Sequence, residues 1–371
     1  MRFAIKKWAD VLQIISGRNQ KEVLDPTGSY PIYGSGGIMG YANQYLCEAG
    51  TTIVGRKGTI DNPIFVNERF WNVDTAFGVS PGEQLNPRYL YFFCRHFNFK
   101  QLDKSTTIPS LAKRDLLSIE MPVPPLAEQK RIVEKIEELF SELDNGVETL
   151  KKIKQQLAVY RQAVYASVYT ENDMRPITDF FEISSGLTKN SKRNELPIKR
   201  PYLRVANVYY NKLDLSEIKS IGVNENEITK TTLKQDDLLF VEGNGSKEQI
   251  GRVAIWDGSI EGCLHQNHII KGRPLGQMLP QYALFYLISV YGRKQILEVA
   301  ASTSGLYTLS ANKVRNLSIP FLDSEKQKQC VSLIKERLSV CDSIEKTVDA
   351  ALQQAEAMRQ SILKKAFEGE L

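Results

Sequence analysis

Two stretches of the sequence decide the fold, because they are near copies of each other: SLAKRDLLSIEMP at residues 110–122 and TLSANKVRNLSIP at residues 308–320. They lie 198 positions apart, and the same offset relates Gln129 to Gln327 and Arg161 to Arg359 without a gap. Two stretches of about sixty residues therefore stay in register. A repeat of this length indicates one structural unit built twice.

A weaker repeat joins the beginnings of the two halves. Residues 8–17 (WADVLQIISG) resemble residues 177–186 (ITDFFEISSG) at an offset of 169, so the second half carries a net insertion of 29 residues. Each half thus has a similar beginning, a divergent middle and a similar end. We interpret the divergent middles as domains with different tasks, although duplication can also produce repeats without any division of labour.

The similar ends are predicted to be long helices. Apolar or small residues recur there at steps of three and four, which indicates an amphipathic helix with one buried stripe. Each helix is expected to run about forty residues, or roughly 60 Å. Such a stripe needs a partner, so we expect antiparallel pairing within the chain, with dimerisation as the alternative. The stripe comprises Ile132, Ile136, Phe140, Leu143, Leu150, Ile153, Leu157, Tyr160, Val164 and Val168, repeated as Cys330, Ile334, Leu338, Cys341, Val348, Ala351, Ala355, Met358, Ile362 and Ala366.

The middles indicate mixed α/β domains. Buried strands are predicted at residues 51–55, 237–242 and 250–256, and apolar helices at residues 88–94 and 281–288. Ser110 and Ser310 are predicted to cap short helices. The predicted fold is α+β: two mixed α/β domains separated by two long antiparallel helices that form a coiled-coil-like spacer, with an internal pseudo-twofold repeat. The predicted boundaries are residues 1–121, 122–170, 171–319 and 320–371.

The amino-acid composition excludes few classes of function. Lys and Arg exceed Asp and Glu by 48 to 43, a net charge of +5 that permits an anionic partner without requiring one. The five cysteines form no C-x-x-C pair, which favours reduced thiols. Residues 1–8 carry no signal-peptide pattern and no apolar run reaches the length of a membrane span, so we expect a cytoplasmic protein.

The sequence contains only incomplete matches to motifs for catalysis, nucleotide binding or metal binding. Residues 50–57 (GTTIVGRK) miss the Lys and Ser/Thr of a phosphate-binding loop, and residues 34–40 (GSGGIMG) are expected to be a flexible surface loop. Residues 62–65 (NPIF) approach the Asn-Pro-Pro-aromatic motif of DNA amino-methyltransferases, but Ile64 replaces the second proline. His96, His265 and His268 lack nearby cysteines for a typical zinc site. We therefore predict no catalytic residue, bound metal or cofactor in this chain.

Side chains suited to nucleic acid occur in both middles. Arg and Lys neutralise phosphates, while Arg, Asn, Gln and His read base edges. The predicted contacts in the first middle are Tyr33, Ser35, Asn43, Arg56, Lys57, Lys104, Ser105 and Thr106. Those in the second are Arg204, Asn207, Asn244, Lys247, Gln249, His265, Gln266, Asn267 and Ser304.

Residues 119–132 (IEMPVPPLAEQKRI) resemble the signature of specificity subunits of type I restriction–modification systems, in which a proline-rich segment and Glu-Gln-Lys precede a long helix. The second copy keeps Pro320, Gln327 and Lys328 but departs from the pattern at Leu322 and Asp323. The arrangement of variable region, helix, variable region, helix extends the resemblance over essentially the whole chain.

The resemblance implies a non-catalytic DNA-binding subunit whose two domains each bind half of an asymmetric, bipartite DNA target. It implies as partners two modification subunits, which carry S-adenosylmethionine and flip the target adenine, and restriction subunits. Alternatives are a type IIB-like specificity subunit, a methyltransferase or a coiled-coil adaptor. The residues predicted to form the helical spacer and dock partners are Pro122, Pro125, Gln129, Lys130, Ile136, Leu143, Leu157, Pro320, Gln327, Lys328, Ile334 and Ile362.

Overall fold

Contacts divide the chain into two units, each of which takes part of both long helices. The computed structural model describes residues 3–169, 173–243, 249–301 and 307–371. Unit 1 comprises Met1–Lys152 with Val348–Leu371, and unit 2 comprises Ile153–Thr347. The helices are therefore integral parts of the units, not a separate body as the predicted boundaries imply.

Unit 1 contains a four-stranded antiparallel sheet and a three-stranded mixed sheet. Its strands are β1 (Ile5–Lys7), β2 (Leu12–Ser16), β3 (Tyr30–Gly34), β4 (Gly37–Ala42), β5 (Thr51–Gly55), β6 (Ile64–Val66), β7 (Trp71–Asn72), β8 (Ala76–Pro81) and β9 (Glu120–Pro122). The helices are α1 (Trp8–Val11), α2 (Pro87–His96), α3 (Lys113–Leu117) and the first part of α4 (Leu126–Ala166). The larger sheet has the order β2-β8-β5-β6, the smaller one β4-β3-β7, and β1 pairs with β9.

Unit 2 repeats this plan. Its strands are β10 (Met174–Pro176), β11 (Phe181–Ser185), β12 (Ile198–Leu203), β13 (Val208–Tyr209), β14 (Lys212–Leu213), β15 (Lys219–Val223), β16 (Leu238–Val241), β17 (Val253–Ile255), β18 (Leu264–His265), β19 (Ile269–Pro274) and β20 (Ser318–Pro320). Its helices are α5 (Glu225–Thr231), α6 (Pro280–Ile288), α7 (Val290–Ala300), α8 (Ala311–Arg315) and the first part of α9 (Ser324–Glu368). The sheet orders are β11-β19-β16-β17 and β15-β12-β18, and β10 pairs with β20.

The two middles, which diverge in sequence, thus share one topology. In both three-stranded sheets the central strand pairs antiparallel with one neighbour and parallel with the other. The additional residues of the second half are distributed over several of the connections between its strands. In unit 1, residues 35–36 suffice to join β3 to β4, whereas residues 204–218, with the small hairpin β13–β14, join β12 to β15 in unit 2.

Each unit has three buried clusters, and parts of α4 and α9 belong to the largest of them. In unit 1, Ile132 and Ile136 of α4 and Leu363 of α9 belong to the cluster around Trp8. In unit 2, Ile334 of α9 joins the corresponding cluster. Since these side chains are almost fully buried, each contributes about 1.5–3 kcal/mol of hydrophobic stabilisation.

The two long helices run antiparallel within each unit. In unit 1, Arg359 of α9 bonds Asp144 of α4 and lies 5.3 Å from the centroid of the Phe140 ring. In unit 2, Arg161 of α4 donates to Asp342 and Glu345 of α9 at 2.7 and 2.8 Å. Antiparallel pairing within the chain is therefore confirmed.

Two predicted members of the apolar stripe are wrong. Tyr160 is 50% exposed and Met358, its counterpart at the same offset, is 46% exposed. Both lie at one edge of the stripe, where the helical period carries a side chain away from the partner helix.

Three local predictions also need correction. Ser110 caps no helix, because α3 begins after Ala112, whereas Ser310 accepts from the Lys313 backbone N–H at 3.3 Å and caps α8. Residues 34–40 are not a flexible loop: they comprise the last residue of β3, the two-residue turn at residues 35–36 and the first four residues of β4. The strand predicted at residues 250–256 is confined to Val253–Ile255, because Gly251 has a φ of 61° that breaks an extended run.

Among the helices of the described residues, none is long and apolar enough to cross a membrane.

Candidate nucleic-acid interface

A cationic cluster lies where β5 ends in unit 1. The backbone of Arg56 receives an N–H from Leu111 at 2.9 Å and donates its own to Thr75 at 2.8 Å. Gly58 donates to the carbonyl of Pro109 at 2.9 Å. These bonds hold the loop that follows β5 against the segment that precedes α3, so backbone geometry fixes where the side chains emerge.

Three cations surround a cavity of about 330 Å³ at this place: Arg56, Lys57 and Lys113. The Arg56 guanidinium donates to the Asp74 carbonyl at 3.4 Å and lies 5.7 Å from the Phe77 ring centroid. No carboxylate lines the cavity. A group of unbalanced cations on an open concave surface is suited to binding phosphate.

The loop of residues 103–110 borders the cluster and is organised by one carboxylate. Asp103 accepts from the hydroxyl and backbone of Ser105, at 2.6 and 3.0 Å, and from the backbone of Ser110 at 3.1 Å. These hydrogen bonds lower the pKa of Asp103. Lys104 forms an ion pair with Asp115 at 2.9 Å, so its charge is partly neutralised. Thr106 is exposed.

At the end of β16, unit 2 repeats the backbone hydrogen bonds that Arg56 makes in unit 1, and we call this shared arrangement the backbone frame. The side chains on the frame differ in charge between the units. The Glu242 backbone N–H donates to the His268 carbonyl at 2.9 Å, and the Glu242 carbonyl accepts from the Leu309 N–H at 2.6 Å. Arg56 makes the same two bonds with Thr75 and Leu111. The Glu242 carboxylate lies 2.8 Å from His268 Nδ1. The position of Lys113 is held by Ala311. One frame therefore carries cations in unit 1 and an acid–imidazole pair in unit 2.

Several predicted contact residues prove accessible to solvent or stand near the cluster. Ser35 donates to the Lys57 carbonyl at 3.2 Å, and Asn43 is exposed. Tyr33 packs edge-on against Phe70 and is only partly exposed. The remaining ones in unit 2, which are partly exposed, are Arg204, Gln249, Gln266 and Asn267. Arg204 is paired with Glu217 at 3.1 Å. The predicted contacts Asn244, Lys247 and Ser304 lie outside the described residues.

Two of the residues predicted to contact DNA have buried side chains. Asn207 is 3% exposed, and its amide donates to the carbonyls of Asp214 and Glu217 at 2.8 and 3.1 Å. His265 is fully buried, with Nδ1 2.9 Å from the Ile269 carbonyl. Burial lowers the pKa of His265 to about 4. Both side chains hold backbone in place and cannot reach a ligand outside the protein.

Glu242 and Lys113 were missed by the sequence-based prediction. The strand predicted at residues 237–242 includes Glu242, and the predicted contacts do not include Lys113 although the repeat pairs it with Ala311. A change of charge at one position between two aligned copies was the signal that could have found Lys113. Glu242 had no such signal, because the middles do not align by sequence.

Two residues predicted to dock partners are also buried. Gln129 is fully buried and Gln327 is 1% exposed. Gln129 accepts from the Asn86 backbone at 2.8 Å and donates to the carbonyls of Gln84 and Pro124, both at 2.8 Å. Both amides are therefore directed into their units and not toward solvent.

The other residues predicted to dock partners differ in how far they are buried. Pro125, Lys130 and Lys328 are exposed, and Pro122, Leu143 and Ile362 are partly exposed. Those buried in the units are Ile136, Leu157, Pro320 and Ile334, which fits support of the helices better than contact with a partner.

The Asn-Pro-Ile-Phe segment serves packing. Phe65 lies on β6, with the Arg88 guanidinium 4.4 Å from its ring centroid and the Tyr91 ring at 5.6 Å. Within the described ranges, no group of three or more His, Cys, Asp or Glu side chains is placed to hold a metal ion.

Comparison with known proteins gives a consistent result. The family model "Type I restriction modification DNA specificity domain" matches residues 2–158 and again residues 169–354. The chain is 29% identical over 331 residues to the type I restriction enzyme EcoKI specificity subunit of Escherichia coli K12, covering 80% of this chain and 69% of the relative. It is 26% identical over 315 residues to the StySPI specificity subunit of Salmonella potsdam, covering 78% and 67%.

Solved structures share the fold. One, from work on complex assembly and conformational transition of the type I R-M system, superposes with a TM-score of 0.75 at 15% identity, covering 100% of this chain and 98% of that one. The HsdS subunit from Thermoanaerobacter tengcongensis gives a TM-score of 0.54 at 16% identity, covering 100% and 97%. With two copies of the family domain spanning most of its length, the chain belongs to the type I restriction–modification DNA specificity family.

Proposed function

We propose that this chain reads DNA for a type I restriction–modification complex and carries out no chemistry itself. One observation carries the proposal: the same backbone frame occurs twice, with Arg56 and Lys57 in unit 1 where unit 2 has Glu242 beside His268. Two readers with unlike side chains on one frame would recognise two unlike half-sites. The target is therefore an asymmetric, bipartite sequence, with residues 1–121 reading one half and residues 171–319 the other.

In unit 1, Arg56, Lys57 and Lys113 anchor the phosphate backbone. Each phosphate contact of this kind releases counterions, so binding weakens as salt rises. Lys57 is exposed, and no acidic side chain lines the cavity between the three cations. In unit 2, Glu242 is suited to accept from a cytosine amino group, a contact that cations cannot make.

Modification subunits dock on the long helices and supply S-adenosylmethionine, and restriction subunits join this assembly. An apolar row on α9 supports the docking: Leu333, Val340 and Ile344 are 38%, 58% and 40% exposed and lie on one helical face. Exposed apolar rows of this kind commonly mark contacts between proteins.

The proposal is tested by exchanging residues 1–121 for the corresponding domain of a relative that recognises a different sequence. Methylated adenines are then mapped genome-wide in cells that also express the modification partner. We expect one half of the methylated sequence to change and the other to stay. A matched control, Leu275→Ala at an exposed side chain of unit 2, should leave both halves unchanged. A change in both halves, or in neither, would contradict the assignment of two readers.

A further inference from the structure

The β3–β4 hairpin of unit 1 ends in apolar side chains that face solvent. Ile38 is 57% exposed, Met39 62% and Tyr41 46%. Single exposed apolar residues are ordinary on a protein surface, but neighbouring ones at the end of a hairpin are an exposed patch. These three side chains belong to none of the buried clusters of the described residues.

The hairpin is buried at its base and has open space around the glycines of its tip. At the base, Ile32 and Ala42 are fully buried in a cluster with Trp71. At the tip, a Cβ added to Gly36 or Gly37 would meet no atom within 4 Å. Gly37 has a φ of 123°, which only glycine adopts readily. The tip therefore projects from a rigid support.

A bulge sets the direction of the apolar side chains. The register shifts between Ile32 and Tyr33, which pair with Gly40 and Ile38, so Met39 has no residue opposite it. A bulge adds local twist and re-aims the side chains around it. Because the turn consists of residues 35–36 only, Ile38 and Met39 lie two and three positions after it.

The tip adjoins the cationic cluster. Ser35 Oγ donates to the carbonyl of Lys57 at 3.2 Å, so the hairpin turn and the loop after β5 touch. Apolar side chains and phosphate-binding cations thus emerge side by side. This combination fits a nucleic-acid duplex, whose base steps are apolar and whose edges carry negative charge.

We propose that Ile38 and Met39 form an apolar wedge that enters a base step of the half-site read by unit 1, an inference that rests on the proposed DNA-reading function. Proteins that insert apolar side chains between base pairs partly unstack and kink the duplex. The cost of unstacking depends on the sequence, so a wedge adds specificity at base pairs that no polar group contacts.

Unit 2 has no equivalent wedge in its described residues. The corresponding connection, residues 204–218, presents Tyr209 and Tyr210, whose rings lie 5.0 and 5.1 Å from the guanidinium groups of Arg252 and Arg293. These rings are held against the unit. The wedge is therefore a property of one reader, and it distorts one half-site only.

The test uses the full chain assembled with its modification partner. Duplexes carry the methylated sequence determined by genome-wide mapping, with 2-aminopurine placed at one position at a time across each half-site, except at the methylated adenine and its neighbours. Unstacking raises the fluorescence of this probe. The variants are Ile38→Ala with Met39→Ala, and Lys57→Ala. Leu275→Ala serves as the matched control, because Leu275 is 55% exposed and lies in unit 2.

We expect the wild-type complex to raise fluorescence at one step of the half-site read by unit 1. The double variant should lose this rise and bind roughly tenfold more weakly, because the apolar contacts that outweigh the cost of unstacking are lost, at an unchanged salt slope. Lys57→Ala should keep the fluorescence rise and reduce the salt slope by about one. Leu275→Ala should behave like the wild type.

Three results would overturn the wedge. If the wild-type complex binds its sequence without a fluorescence rise at any probed position, the proposed wedge is contradicted and the proposed DNA reading still stands. Loss of assembly with the modification subunit in the double variant, seen by size-exclusion chromatography, would assign the patch to a protein contact. Absence of any sequence-specific duplex binding by the wild-type complex would overturn the proposed function together with the wedge.

Discussion

At the scale of single residues, Asn72 and His265 occupy the same place in the two frames. Asn72 donates to the Ala76 carbonyl at 3.2 Å, and His265 lies 2.9 Å from the Ile269 carbonyl, which is four residues further along in each case. Both are fully buried. Asn72 bridges the short connection between β7 and β8, and His265 bridges the one between β18 and β19. Both are therefore structural residues beside a candidate interface.

The imidazole makes unit 2 sensitive to acid, and we expect His265→Asn to reduce that sensitivity. The pKa of His265 is lowered to about 4 in the folded chain, whereas an unfolded histidine titrates near 6.5. Below that pH the unfolded state binds more protons, so stability falls as the pH drops from about 6.5 toward 4.

The measurement is the free energy of unfolding of unit 2 by denaturant at pH 7.5 and at pH 5. His265 should account for about 2 kcal/mol of the loss between them. The variant should lose that much less than the wild type. Equal losses in both proteins would show that the histidine does not titrate as its burial requires.

Gln129 and Gln327 fasten the beginnings of the long helices to their units. Truncating Gln129 to alanine leaves the Asn86 N–H and two carbonyls without their partner, so we expect a loss of about 2–3 kcal/mol in unfolding free energy. Lys130→Ala, one position along on the exposed face, should change it by less than about 0.5 kcal/mol. Similar losses in both variants would mean that the amide is not the fastening group.

At the scale of elements, the far ends of the helices are held by aromatic pairs. Phe367, near the end of α9, packs against Tyr89 of α2 with ring centroids 5.2 Å apart. Tyr169, just after α4, packs against Tyr282 of α6 at the same distance and donates its hydroxyl to the Tyr282 carbonyl at 2.8 Å. Phe367 and Tyr169 are themselves related by the offset of 198, so the two units use one device.

We expect Phe367→Ala to destabilise unit 1 by about 3–5 kcal/mol, the usual cost of emptying a buried aromatic site. Tyr169→Phe, which keeps the ring and removes only the hydroxyl bond, should cost unit 2 about 1 kcal/mol. Thermal and denaturant unfolding of the two variants would measure both. An Ala variant as stable as the wild type would show that the helix end is not anchored by this ring.

The repeated ends were predictable from the sequence, and the shared middles were not. The offset of 198 places α4 at Leu126 and α9 at Ser324, because gap-free duplication preserves helical register. The middles keep a common topology while Asn72 aligns with His265 and Arg56 with Glu242, pairs of unlike residue type. Backbone hydrogen bonds, which sequence comparison does not see, carry that likeness. For the same reason, burial of Asn207, His265 and Gln129 could not be read from residue type.

At the scale of the whole molecule, unit 1 is built from the first 152 residues and from Val348–Leu371. Its core includes Leu363, Ala366 and Phe367 from the second of these segments. Unit 2 is drawn from one continuous stretch, Ile153–Thr347. The two units therefore depend on the chain in different ways, although their topology is the same.

We expect removal of residues 348–371 to unfold unit 1 and to leave unit 2 folded. Hydrogen exchange followed by mass spectrometry should show lost protection in α2 and in β5 and β8, and retained protection in α6 and in β16 and β19. A matched control that removes only residues 369–371 should keep protection in both units. Retained protection in α2 after the larger deletion would contradict the assignment of α9 to the core of unit 1.

The composition of unit 1 from two distant segments also orders events on the ribosome. Synthesis normally lets the amino-terminal domain fold first, at about 5–20 residues per second. Here the residues of unit 2 are complete 24 positions before those of unit 1, which amounts to a delay of about one to five seconds. The half of the chain that is made first therefore completes its core only after residues 348–371 have been added.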